Sequence, residues 1–138
     1  MFGLTKKQFL KRSSKSLDET GKQALLIRGL IEHEINGKID KNEAQNQIKL
    51  ILKGVESIFF DYENIDPPSQ CVSLYRRILN CLIILQDAVA ANYDYINESA
   101  DDKAFTANEK LERSELFLER FRKEFRPLTI EVDSHLKK

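Results

Sequence analysis

The chain predicts an all-α fold, an antiparallel up-down four-helix bundle with short N- and C-terminal extensions, on three observations. Five glycines and three prolines among 138 residues leave long uninterrupted runs, unlike the frequent turns of a β-rich domain. Apolar residues recur at spacings of three and four through four separate stretches, the period of a helix with one buried stripe. The links between these stretches are short, which makes successive helices antiparallel neighbours. A chain of this length is about one domain and buries roughly two thirds of its unfolded surface, enough for a core without staples.

Helix 1 is predicted to begin between Thr5 and Ser16 and to run to about Asn36, with Leu10, Leu17, Ala24, Ile27, Ile31 and Ile35 on its stripe. Gly21 and Gly29 fall inside it. Each costs about 1 kcal/mol relative to alanine, so a bend or a close helix contact is expected there. The link "NGKID" supplies Gly37 for a left-handed helix end, Asp40 as a cap with Glu43 three residues on, and Ile39 to staple onto Ala44.

Helix 2 runs from about Lys41 to Asn64, and Ala44, Ile48, Ile51, Val55, Ile58 and Tyr62 alternate spacings of four and three as a heptad seam requires. Pro67 and Pro68 then break the chain, because they lack donors and push the preceding residue out of helical space.

Helix 3 is read from near Ser69 to about Asn97 and carries two apolar stripes. One holds Val72, Tyr75, Leu79, Leu82, Val89, Tyr93 and Ile96; the other holds Leu74, Ile78, Cys81, Leu85 and Ala88. A membrane span needs about 20 apolar residues, and "ILNCLIILQDAVAA" is shorter and contains Asn80, Gln86 and Asp87. The segment therefore reads as the inner helix of the bundle, with Ile83 and Ile84 left over for a second subunit and a homodimer expected from them.

"NESADD" is the next expected turn or kink, and helix 4 extends from about Ala100 to Phe125 through Ala104, Ala107, Leu111, Leu118 and Phe121. Pro127 is expected to stop it, and "LTIEVDSHLKK" alternates as a short strand or extended segment does. The division is then residues 1–15 as a basic arm or the start of helix 1, 16–126 as the bundle and 127–138 as a C-terminal tail.

Acids and bases balance at 22 each, so no whole-molecule field draws the chain to nucleic acid or membrane. Any such attraction is local, and the place for it is the N-terminus, where Lys6, Lys7, Lys11, Arg12 and Lys15 precede the first acid, Asp18. Interleaved with Phe2, Leu4, Phe9 and Leu10, these charges suit an anionic membrane surface or a nucleic acid, against the plain alternative of a solubilising tail. They also interrupt any apolar core of signal-peptide length. Cys71 and Cys81 lie ten residues apart on one helix, roughly 15 Å along its axis, too far for a disulfide with each other. Two unpaired thiols fit a reducing cytoplasm.

The topology also groups residues that are distant in sequence. The end of helix 2, the start of helix 3 and the end of helix 4 are expected at one pole, bringing Phe59, Phe60, Tyr62, Tyr75, Phe117, Phe121 and Phe125 beside Arg76 and Arg77. Such a cluster is either aromatic core with a solvated rim or a groove whose arginines take acidic groups; Tyr62, Tyr75, Arg76, Arg77, Phe121 and Phe125 are its candidate binding residues. Neither His33 nor His135 follows a glutamate by three residues, as di-metal bundles require, so no metal or cofactor is expected. Glu109, Glu112, Glu115 and Glu119 on helix 4 read as a wet face, with Glu109–Arg113 and Glu119–Lys123 pairs at i to i+4. Cys71 falls in the first turn of helix 3, where the dipole lowers a thiol's pKa, but no base is tied to it by sequence.

"RGLIEH" sets Arg28 five residues before His33, which looks like the arginine-x4-histidine signature of HEPN-type helical nucleases, with Gly29 where that family often has asparagine. That resemblance implies RNA cleavage with Arg28 and His33 as catalytic residues. A broader one covers the last half: "IDPPSQCVSLYRRILNCLIILQDAVAANYDYI" followed by "ANEKLERSELFLERFRKEF" resembles the layout of uncharacterised helical proteins of Gram-positive bacteria. It implies a bundle without a known activity. Many such proteins are secreted lipoproteins, whose signal and anchored cysteine have no counterpart here. The leading expectation is a cytoplasmic, non-enzymatic bundle working through protein contacts, a small regulatory or accessory factor of bacterial or phage origin.

Overall fold

The computed structural model describes residues 3–98 and 109–138. Among them lie α1 (Lys6–Ile35), α2 (Lys41–Glu63), a 3₁₀ turn over Ser69–Cys71, α3 (Val72–Glu98) and α4 (Glu109–Leu136). The expected start of helix 4 near Ala100 and the "NESADD" turn fall largely outside the described residues. The bundle is all-α and antiparallel. Each helix packs on the next in sequence, α1 closes the ring on α4, and α1 and α3 also touch across the centre.

α1 starts at the earlier of its two expected positions because Thr5 caps it: its side chain accepts from the Gln8 backbone N–H while Gln8 returns a bond to the Thr5 N–H. This reciprocal capping box satisfies two otherwise orphaned donors. The basic N-terminal segment is thereby helical from Lys6, not a mobile tail, and Phe9 and Leu10 are buried in the core. Leu10, Leu17, Ile27 and Ile31 are buried as their spacing predicts, but Ile35 is exposed and the stripe ends at Glu34 instead.

Gly37 takes φ +65°, the left-handed conformation that ends a helix at little cost for glycine. Asp40 accepts from the Glu43 N–H at 2.8 Å to open α2. All six stripe residues of α2 are buried, and Ile39 beside them. The double proline gives way to the 3₁₀ turn, where the Cys71 N–H donates to the Pro68 carbonyl at 2.8 Å and leads into α3. α3 is the inner helix: Leu74, Ile78, Cys81, Leu82, Ile84, Leu85, Ala88 and Val89 are all buried within this one chain. Ile84 is therefore not available to a second subunit, because α2, α4 and α1 pack around α3, whereas Ile83 remains 40% exposed. No helix among the described residues is long and apolar enough to cross a membrane.

α4 departs from expectation at Pro127, through which it continues to Leu136. Proline costs a helix interior about 3 kcal/mol by removing a donor and crowding the carbonyl four residues back. Pro127 and Lys123 are both exposed, a setting in which a freed carbonyl can be satisfied by water. Leu128 and Val132 extend the stripe of Leu118, Phe121 and Phe125 into the core, and their burial outweighs the local penalty. The expected tail of residues 127–138 is thus the last turns of α4, and "LTIEVDSHL" is helical.

Candidate functional site

The longer α4 redistributes the expected aromatic pole. Its lower end is Leu136 rather than Phe125, which leaves Phe125 roughly 16 Å up the bundle at 1.5 Å per residue. Phe121 and Phe125 stack on each other there, with ring centroids 4.9 Å apart, against the middle of α1. A Cβ at Gly21 would lie 3.3 Å from the Phe125 ring edge, so this glycine provides the close helix contact that its position implied.

Tyr62 and Tyr75 form a separate cluster at the pole itself. Their rings stack at 5.6 Å, and Phe9 from the first turn of α1 packs tilted on Tyr62 at 6.4 Å. The Tyr62 hydroxyl shares a hydrogen bond with Ser13 Oγ at 2.7 Å in the core. The Tyr75 hydroxyl donates to the Glu63 carbonyl at 2.6 Å, fastening the start of α3 to the end of α2. Burial raises the pKa of both phenols, helped at Tyr75 by Glu63 and Asp66, so neither is an acid near neutrality. Cys71 beside them is likewise pushed up by burial, partly offset by Lys6; the helix-end activation expected for it does not prevail. Cys81, deeper in α3, is raised to about 12 by burial and by Glu124, and both thiols are free.

The two arginines diverge. Arg77 donates to both carboxylate oxygens of Glu131 at 2.9 and 2.7 Å, a forked pair that occupies its anion-binding edge and clamps α3 to the lower turns of α4. Arg76 is exposed. Phe59 and Phe117 are half-buried and Phe60 is open to solvent. The six residues Tyr62, Tyr75, Arg76, Arg77, Phe121 and Phe125 are therefore two packed aromatic pairs and two arginines with different fates, not one groove.

Arg28 and His33 are both exposed and lie on one helix, roughly 140° apart around its axis at five residues' separation. The Arg28 guanidinium pairs with Glu32 at 3.4 Å, and the structure does not bring the two candidate catalytic groups together. Glu109, Glu112, Glu115 and Glu119 are all exposed, and among the described residues of this stretch Lys110 pairs with Glu98 and Arg120 with Glu124. Among the described residues no group of three or more His, Cys, Asp or Glu side chains is placed to hold a metal.

Sequence reasoning passed over two features. The first is an apolar strip on the outer face of α1 and α2. Leu25, Leu26 and Leu50 are 66%, 55% and 72% exposed, and nothing lies within 4 Å of where a Gly29 Cβ would be. Gln23 meets Gly54 across the α1–α2 seam, so one turn further along these antiparallel helices Leu26 comes level with Leu50. The signal was present: Leu25 and Leu26 lie off the Ala24–Ile27–Ile31 stripe. The second is a buried polar pair. Glu34, in phase with Ile27 and Ile31, is fully buried and accepts from Asn92 Nδ2 at 2.7 Å.

No protein-family model, curated protein or solved structure matches the chain.

Proposed function

We propose that the chain is a non-enzymatic, cytoplasmic bundle that works through protein contacts, and that its first partner is a second copy of itself docked along α1. The observation that carries this reading is the outer strip of Leu25, Leu26, Gly29 and Leu50, which the chain leaves open to water.

The strip is self-complementary. Lys22, Leu25, Gly29 and Glu32 repeat at spacings of three and four along the side of α1 opposite its buried stripe. Lys22 and Glu32 are equally far from Ile27, as are Leu25 and Gly29. Two copies of α1 laid antiparallel about a twofold axis level with Ile27 set Lys22 of each against Glu32 of the other. The same axis sets each Leu25 over the other copy's Gly29. A twofold in this plane keeps the α2 sides together, so Leu26 and Leu50 of both copies meet on one side of the seam. Gly29 inside a helix costs about 1 kcal/mol, and a Cβ there would meet no atom of another helix within 4 Å. A close-approaching second helix supplies the use.

Light scattering across a concentration series tests it. The reading expects the mass to rise from monomer toward dimer by high micromolar concentration. A monomer throughout that range overturns self-association.

A further inference from the structure

The junction between the last turn of α1 and α3 holds a side-chain pair that one hydrogen bond leaves half satisfied. Glu34 and Asn92 are both fully buried, and Asn92 Nδ2 donates to Glu34 Oε1 at 2.7 Å. The second atoms of the same two groups, Glu34 Oε2 and Asn92 Oδ1, are also buried, and neither has a hydrogen-bond partner. If Glu34 is ionised, both are acceptors, and among the described residues the negative charge has no cation beside it and nothing donates to either atom. Buried acceptors left so are costly and uncommon.

One proton removes every part of this difficulty. A neutral carboxyl group has an O–H donor, and a carboxylic acid beside a primary amide forms a two-point ring: amide N–H to acid carbonyl, acid O–H to amide carbonyl. Exchanging the amide oxygen and nitrogen of Asn92 leads to the same requirement, because an acceptor then faces Glu34 Oε1. We propose that Glu34 is protonated in the folded chain and closes this ring with Asn92, making the α1–α3 junction a proton-dependent latch.

The surroundings favour the neutral form. Burial raises the Glu34 carboxyl to about 7, against a smaller lowering by the Asn92 bond, and no lysine, arginine or histidine of α2 or α4 acts on it. The titratable group facing it from α3 is Tyr95, whose phenol is itself pushed up to about 12 by burial and by Glu34. His33 and Glu32 on α1 are exposed. The sign follows directly. The folded chain keeps the proton over the interval from the ordinary value of 4.5 to about 7, where the unfolded chain has lost it. The Glu34 contribution to stability is therefore fully present at the acid end of that interval, falls as pH rises through it and is level above.

The test is chemical denaturation of the intact chain and of Glu34→Gln from pH 5 to pH 8. Glutamine keeps the two-point geometry without a proton to lose, so the difference between the two chains cancels the titration of other groups. The native chain is expected to lose on the order of a hundredfold in folding equilibrium constant relative to Glu34→Gln across that range. A difference independent of pH overturns the latch. Carbon-13 NMR of the Glu34 side-chain carboxyl in the native chain is a second readout that needs no variant. A midpoint near neutrality supports the latch, and one in the ordinary carboxylate range overturns it.

Discussion

Ser13 and Tyr62, 49 residues apart in sequence, share a 2.7 Å hydroxyl hydrogen bond sealed inside the bundle between the beginning of α1 and the end of α2. Deleting one hydroxyl strands the other in an apolar interior. Tyr62→Phe and Ser13→Ala are each expected to cost about 1–3 kcal/mol, and the double variant less than their sum. Urea denaturation of the four chains measures the coupling, and strict additivity contradicts the bond.

Val132 and Ile130 separate a helix from an extended segment beyond Pro127. Val132 is fully buried and Ile130 is 61% exposed, although both fall on the same side of an alternating strand. Val132→Ala is expected to destabilise by about 1–3 kcal/mol, and Ile130→Ala to remain within about 0.5 kcal/mol of the native chain. Equal losses in thermal or urea unfolding would count against the helical continuation.

Arg77 and Glu131 bring a milder pH dependence of opposite sense to that of Glu34. The Arg77 hydrogen bonds hold the Glu131 carboxyl below its usual range, so its contribution is present above the ordinary carboxylate pKa and is lost as pH falls through the lowered one. Both side chains are partly exposed, and solvent screening limits the pair to about 1 kcal/mol or less. Arg77→Ala is expected to flatten the acid limb of the stability profile, and the native limb itself to shrink in high salt.

Gly29 carries opposite expectations for folding and for association. Gly29→Ala meets no atom of another helix, so it is expected to raise stability by up to about 1 kcal/mol through helix propensity. The added methyl group occupies the notch assigned to the second copy's Leu25, so the same variant is expected to associate more weakly. Unfolding midpoints at low concentration and sedimentation at high concentration read the two effects separately.

The fold was legible where local and tertiary preferences agree. α2 is the plainest case: Asp40 and Glu43 mark its start, and Ala44 through Tyr62 hold a strict seam, all of it buried. Pro127 was misread because a local rule cannot weigh the burial of Leu128 and Val132 lying beyond it. That error moved Phe121 and Phe125 to the wrong level and merged two clusters into one pole. The α1 strip was passed over because leucine on a helix reads as core until its phase is compared with Ile27 and Ile31. Of the two isoleucines beyond the α3 stripes, Ile83 does face outward, and Ile84 is buried because three helices surround α3. Glu34 escaped notice because a carboxylate in the buried phase looks like an interruption of the stripe until Asn92 appears opposite.

The face of association is the central claim, and comparing the masses of three chains by sedimentation equilibrium at one high micromolar concentration tests it most directly. The account predicts a dimer for the native chain, a monomer for Leu25→Asp on α1, and a dimer for Ile83→Asp on the outer side of α3. A dimer that survives Leu25→Asp and is lost in Ile83→Asp would contradict it.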